Sequence, residues 1–214
     1  MSWLELSDEL IEDVETGEFD YSDEFEIKSE IAIVKIDSAY IDKADSGAMS
    51  FNVKFVKENG AFIDMQEWIK SGEAKGNKST YTDKKNGKEK PLPGIINVQH
   101  FLKILGEDFK SIGEPKHFTM KVYGKDKEVK VFEKLRGQML IVANEAYEDD
   151  YNDELKTKTR VVDWMNLDGE DYKGKPKQQY WIERFEKTPV KPLKVKKEVK
   201  KEPDADTQAD LDNW

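Results

Sequence analysis

The chain has 214 residues, 37% of them hydrophobic and another 37% charged, with a formal net charge of −10. That leaves room for one substantial domain with solvated extensions. The absence of cysteine excludes a disulfide framework and any cysteine-ligated zinc or iron–sulfur centre. No apolar run approaches the ~18 residues of a membrane span, and the acidic start does not resemble a signal peptide, so a cytoplasmic protein is expected.

The charge is segregated. Residues 1–26 carry eleven carboxylates and no base, and residues 202–214 carry five carboxylates and no base. Residues 187–201 hold seven lysines and one glutamate, while 27–186 balance at 28 bases and 28 acids. Residues 70–90 are a local basic stretch, with seven lysines against three acids. Such segregation says more about partners than the bulk charge does.

In chain order, Trp3, Leu4, Leu6, Leu10, Ile11 and Val14 recur at near-helical spacing, and Ser2 with Glu5 matches a capping box. An acidic amphipathic helix over about 3–15 follows from this, with a linker to residue 28. An apolar stripe of this kind packs either on the domain or on a second subunit, which would make a homodimer. Residues 30–41, 48–57 and 61–69 then read as three meandering strands, the last two joined at Glu58-Asn59-Gly60. Phe51, Val53 and Phe55 share one face. Ile63, Met65 and Ile69 face the core, with Phe62, Asp64, Gln66 and Trp68 on the other side.

Residues 70–93, with five Gly/Pro punctuators and many lysines, read as a long exposed loop. A helix over 94–106 follows. Asn97 caps it, Val98, Phe101, Leu102 and Leu105 form its stripe, and Gly106 stops it. Strand regions come next at 117–134 (a hairpin through Gly124-Lys125-Asp126), 137–147, 159–166 and 179–186. Three meandering strands, a lone helix and further strands give a mainly β protein of the OB-fold type. That fold is a five-stranded Greek-key barrel with its helix between strands three and four, here with extra strands. The expected organisation is an acidic helix and linker over 1–28, an OB-fold domain over 29–186, and a disordered lysine-rich stalk and acidic tail over 187–214.

The residues give little for an enzyme. His100 and His117 stand alone, without a pairing that suggests a metal or a triad, and no glycine-rich phosphate loop follows a strand. Glu-x-Lys combinations, such as Glu128-Val129-Lys130, arise by chance at this charge density. No metal, cofactor or catalytic constellation is implied.

Aromatic residues on polar strand faces point elsewhere. Phe62 and Trp68 lie on the polar side of their strand, Tyr123 shares a face with Lys121, and Phe132 stands between Lys130 and Lys134. A water-facing ring flanked by lysines suits an unpaired base stacked on the ring, with ammonium groups on the phosphates. Lys70, Lys75, Lys78, Lys84 and Lys85 surround Tyr81 in the 70–90 loop and make a flap over such a groove. Phe51, Phe55 and Phe118 read as plain core. The body has three arginines, Arg136, Arg160 and Arg184, too few for a reader of base edges. Sequence-tolerant, salt-sensitive binding through lysine is the expected mode.

The strand run 30–69, the helix 94–106, the segment Phe132-Glu133-Lys134-Leu135-Arg136-Gly137-Gln138-Met139-Leu140-Ile141-Val142 and the ending Asp210-Leu211-Asp212-Asn213-Trp214 carry a resemblance. In them the chain resembles the single-stranded DNA-binding proteins of T7-like and related tailed phages, in pattern over about 30–166 and in kind over the last dozen residues. The resemblance implies protection of single-stranded DNA in phage replication and recombination. It also implies a tail, here Asp204, Asp206, Asp210, Asp212 and Trp214, that recruits a polymerase, helicase or primase and competes with DNA for the groove. The tail is less dense in acid than the family's most acidic ones, and the acidic N-terminal helix is not a general family feature. The main rival reading is an acidic interaction module or DNA mimic acting on a host nucleic-acid enzyme.

Overall fold

A computed structural model describes residues 27–122, 124–151 and 154–193. The expected helix over 3–15, Tyr123 and the acidic tail lie outside the described residues. The protein is mainly β. Strands β1 (Glu30–Lys43), β2 (Met49–Lys57) and β3 (Phe62–Lys70) form the expected antiparallel meander. Two-residue alternation sets their faces: Phe51, Val53, Phe55, Ile63 and Met65 are buried while Phe62 and Trp68 stay exposed. Gly60 closes the second turn at φ 82°, a backbone region that favours glycine.

The segment after β3 has more structure than a loop. A 3-10 turn at Glu73–Lys75 is followed by a small hairpin, β4 (Thr80–Thr82) with β5 (Glu89–Pro91). Helix α1 runs over Pro93–Ile104. It starts four residues before Asn97, because Pro93 sits in the first turn, where its missing N–H costs nothing. Asn97 is therefore inside the helix, and its amide donates to Glu67 Oε1 at 3.0 Å instead of capping. Gly106, at φ 70°, follows the last turn.

Next come the hairpin β6 (Lys116–Val122) and β7 (Lys125–Val131), then the long hairpin β8 (Met139–Tyr151) and β9 (Glu154–Met165). The strand expected over 179–186 is instead helix α2 (Gln178–Lys187). Trp181 and Phe185, one helical turn apart, bury one face of it against Ile141, Ala143 and Met165. The short strand β10 (Val190–Lys191) then pairs in parallel with β8, and Ser29 N–H donates to the Pro189 carbonyl. The folded body thus reaches beyond 187, where a disordered stalk was expected to begin.

The sheet runs β10-β8-β1-β2-β3, with β7 also on β1, β6 on β7 and β9 on β8. β9 comes up against β3, yet no ladder joins them. Among the described residues eight strands form one large, mostly antiparallel sheet, with β4 and β5 a separate pair, and not the closed barrel that was expected. Its main core is aromatic: Phe101 of α1 touches Phe51, Phe55 and Trp164 at ring separations of 6.1–6.2 Å. Contacts of this type are worth about 0.5–1.5 kcal/mol each beyond the area they bury. No helix among the described residues is long and apolar enough to cross a membrane.

Candidate nucleic-acid interface

The outward side of β3 carries the two most informative rings. Phe62 is 54% exposed and Trp68 47% exposed. Lys54 of β2 places Nζ 4.0 Å from the centre of the Phe62 ring, a cation–π contact. Between the rings lies a polar floor, where Ser50 Oγ accepts from the Asn52 amide at 3.0 Å and the Gln66 amide at 3.4 Å.

Trp68 forms part of the wall of a cavity of about 580 Å³, shared with Ser46, Ala48, Lys70, Lys75 and Leu92. The backbone fixes this wall. Glu73 N–H donates to the Ser46 carbonyl at 2.8 Å, strapping the segment after β3 onto the β1–β2 turn. Gly72 allows the approach, since a Cβ there would lie 2.8 Å from the same carbonyl oxygen. A second cavity of about 410 Å³ is lined by Lys43, Lys70, Glu73, His117, Glu128 and Lys130, among others. Lys70 belongs to both walls.

The predicted lysines separate into two groups. Lys70, Lys75 and Lys130 line these cavities, and no carboxylate among the described residues pairs with them. Lys43, not singled out from the sequence, joins them. Lys78, Tyr81, Lys84 and Lys85 line neither cavity. Tyr81 is exposed on β4 opposite Lys90, and Lys84 and Lys85 lie in the turn of that small hairpin. Lys90 beside Asp83 holds that carboxyl below its usual range. Lys121 is exposed on β6, opposite Asp126. Lys134 is occupied, bonded to Glu107 at 2.6 Å and to the Ser111 carbonyl at 2.8 Å.

Two aromatic assignments are reversed. Phe132, expected to stack a base, is 7% exposed and packs 5.7 Å from Phe51. The strand alternation breaks after Val131, where Phe132 N–H donates to the Ala39 carbonyl and turns the ring into the core. Phe118, expected in the core, is 43% exposed on β6. The β6–β7 hairpin leaves the body, and this is what exposes it: β7 pairs with β1 only at Tyr40–Val131 and Ile41–Lys130.

Other charged groups are structural. Glu145, buried on β8, receives Arg160 at 2.6 Å, Arg184 at 3.2 Å and Lys191 at 3.3 Å. Two of the three body arginines are thereby spent on joining β9 and α2 to the sheet, and Lys191 joins β10. Burial pushes the Glu145 carboxyl up, but Arg160 and Lys191 outweigh it and hold the group below its usual range. His100 stacks on Tyr172 at 4.1 Å, and burial, with Lys103 and Lys173 nearby, lowers its pKa. His117 faces Glu128 at 2.9 Å on the surface. Among the described residues no three His, Asp or Glu side chains gather as metal ligands.

A half-exposed indole in the wall of a cavity, beside ammonium groups without carboxylate partners, suits a ligand with a flat face and negative charges. Compared with protein-family models and with curated proteins, the chain matches none.

Proposed function

We propose that this protein binds single-stranded DNA without sequence preference and without catalysis, on an OB-type Greek-key body. The strand order supports the fold reading: β1, β2 and β3, then α1, then the long strands β8 and β9, with β9 returning to the open edge of β3. In that architecture the outward face of strands two and three takes oligonucleotides, and here it carries Phe62 and Trp68. The observation that carries the function is Trp68, half exposed in the wall of a cavity beside Lys70 and Lys75.

A base stacked on Trp68 contributes about 1–3 kcal/mol whatever its identity. Lys70 and Lys75 then follow the phosphates. With Arg160 and Arg184 held by Glu145, bidentate guanidinium reading of base edges has little to work with. Such a protein protects transient single strands during phage replication and recombination in the host cytoplasm. Asp204, Asp206, Asp210, Asp212 and Trp214 recruit a polymerase, helicase or primase. An electrophoretic shift with oligo-dT tests the reading: a complex forms at low salt and weakens about tenfold in Trp68→Ala. No complex with the unaltered protein, together with capture by a basic protein, would favour the DNA-mimic reading instead.

A further inference from the structure

We infer that Phe118, on the β6–β7 hairpin, is a second base-stacking platform, and that the strand path crosses the sheet from Trp68 to reach it. The inference rests on the single-strand reading above and adds a site on the hairpin outside the β2–β3 face. Cross-strand register supplies the path. Trp68 of β3 is paired with Ser50 of β2, and Ser50 with Asp42 of β1. β1 then pairs with β7 at Tyr40–Val131 and Ile41–Lys130. One further antiparallel step sets Asp42 opposite Val129, and Val129 is paired with Phe118 of β6.

Directly paired residues share a sheet face, so Trp68 and Phe118 lie on the same side of one row of five strands. The ion pair between Lys127 and Asp42, at 2.5 Å, holds the hairpin to β1 on this side. Four interstrand spacings separate the two rings, about 19 Å along the sheet at ~4.8 Å each. Between them the row runs over Ser50 and Asp42, polar and buried, and Val129, apolar and buried, while both rings are close to half exposed. Lys125, opposite Val122 and hence on the Phe118 face, is exposed and has no carboxylate partner among the described residues. A ring and, four residues along β6 on the same face, an ammonium therefore stand at this end of the sheet. Phe118 leaves 43% of its surface to solvent on a strand with no second partner among the described residues, and a stacked base would cover it.

The test compares an oligo-dT of about four nucleotides with one of about sixteen, the two ends of the site sizes common for such folds. Phe118→Ala is expected to weaken the longer strand about tenfold and to leave the shorter one, held at Trp68, within about twofold. Lys125→Gln, a surface change that leaves the ring in place, is expected to flatten the salt dependence of the longer strand by about 0.7 in log–log slope. Unchanged affinity of the longer strand in Phe118→Ala, or equal weakening of both strands, would overturn the second platform while leaving binding at Trp68 intact. Failure of the unaltered protein to bind either strand would overturn the single-strand reading itself.

Discussion

A Cβ on Gly94 would lie 2.2 Å from the carbonyl oxygen of Trp68 and 2.9 Å from its amide nitrogen. The first turn of α1 thus rests directly on the backbone of the residue at the centre of the proposed interface, with no side chain between them. Gly94→Ala cannot be absorbed by a flexible side chain, because what it meets is main chain. It is expected to cost about 1–3 kcal/mol of stability, the usual range for overpacking, and to weaken oligo-dT binding by displacing Trp68. Urea unfolding and a binding curve measure both. Trp68→Ala, at an exposed ring, is expected to lose binding while keeping its unfolding midpoint nearly unchanged.

Glu145 accepts from Arg160, Arg184 and Lys191 together. Glu145→Gln is expected to destabilise the fold by about 1–3 kcal/mol, the range for a lost charge-assisted hydrogen bond. The folded carboxyl titrates below its ordinary value of 4.5, so its contribution is fully present above that value and is lost as pH falls through the folded pKa. The difference in unfolding midpoint between the two proteins should shrink on acidification.

Glu67 behaves in the opposite sense. Burial raises its pKa, and the hydrogen bond from Asn97 only partly offsets this. The folded state binds this proton more tightly than the unfolded chain, so stability falls as pH rises from the ordinary 4.5 through the folded pKa. Glu67→Gln keeps an acceptor for Asn97 and removes the penalty. The variant is expected to be more stable than the parent at neutral pH and to lose that advantage in acid, which thermal unfolding across pH would show.

The meander and α1 were legible because their signals are local. Alternation separated Phe51, Val53 and Phe55 from Ser50 and Asn52, and the stripe Val98, Phe101, Leu102 marked the helix. Helix α2 was not, because it is short and aromatic and its period becomes clear only against Ile141, Ala143 and Met165. Phe118 and Phe132 exchanged roles for a related reason. Which strand face is buried depends on where a hairpin leaves the sheet and where alternation breaks, and both are set by contacts distant in sequence. The sequence alone makes Lys134 a phosphate contact, but its partner Glu107 is 27 residues away. Lysines that line a cavity and those already paired look alike in sequence.

If the acidic ending competes for the same cations, deleting 203–214 should tighten oligo-dT binding at low salt, and the gain should fade as salt rises. Unchanged or weaker binding would remove self-inhibition and leave the tail as a partner-binding element alone.

The salt dependence of oligo-dT affinity, measured on the full chain and on Lys70→Gln, tests the central claim most directly. On a short oligo-dT held at Trp68, phosphate contacts by Lys70 and Lys75 predict a log–log slope of about −1.4, at ~0.7 per contact on a single strand, and a slope shallower by about 0.7 in the variant. A salt-independent affinity, or no complex even at low salt, would contradict the account.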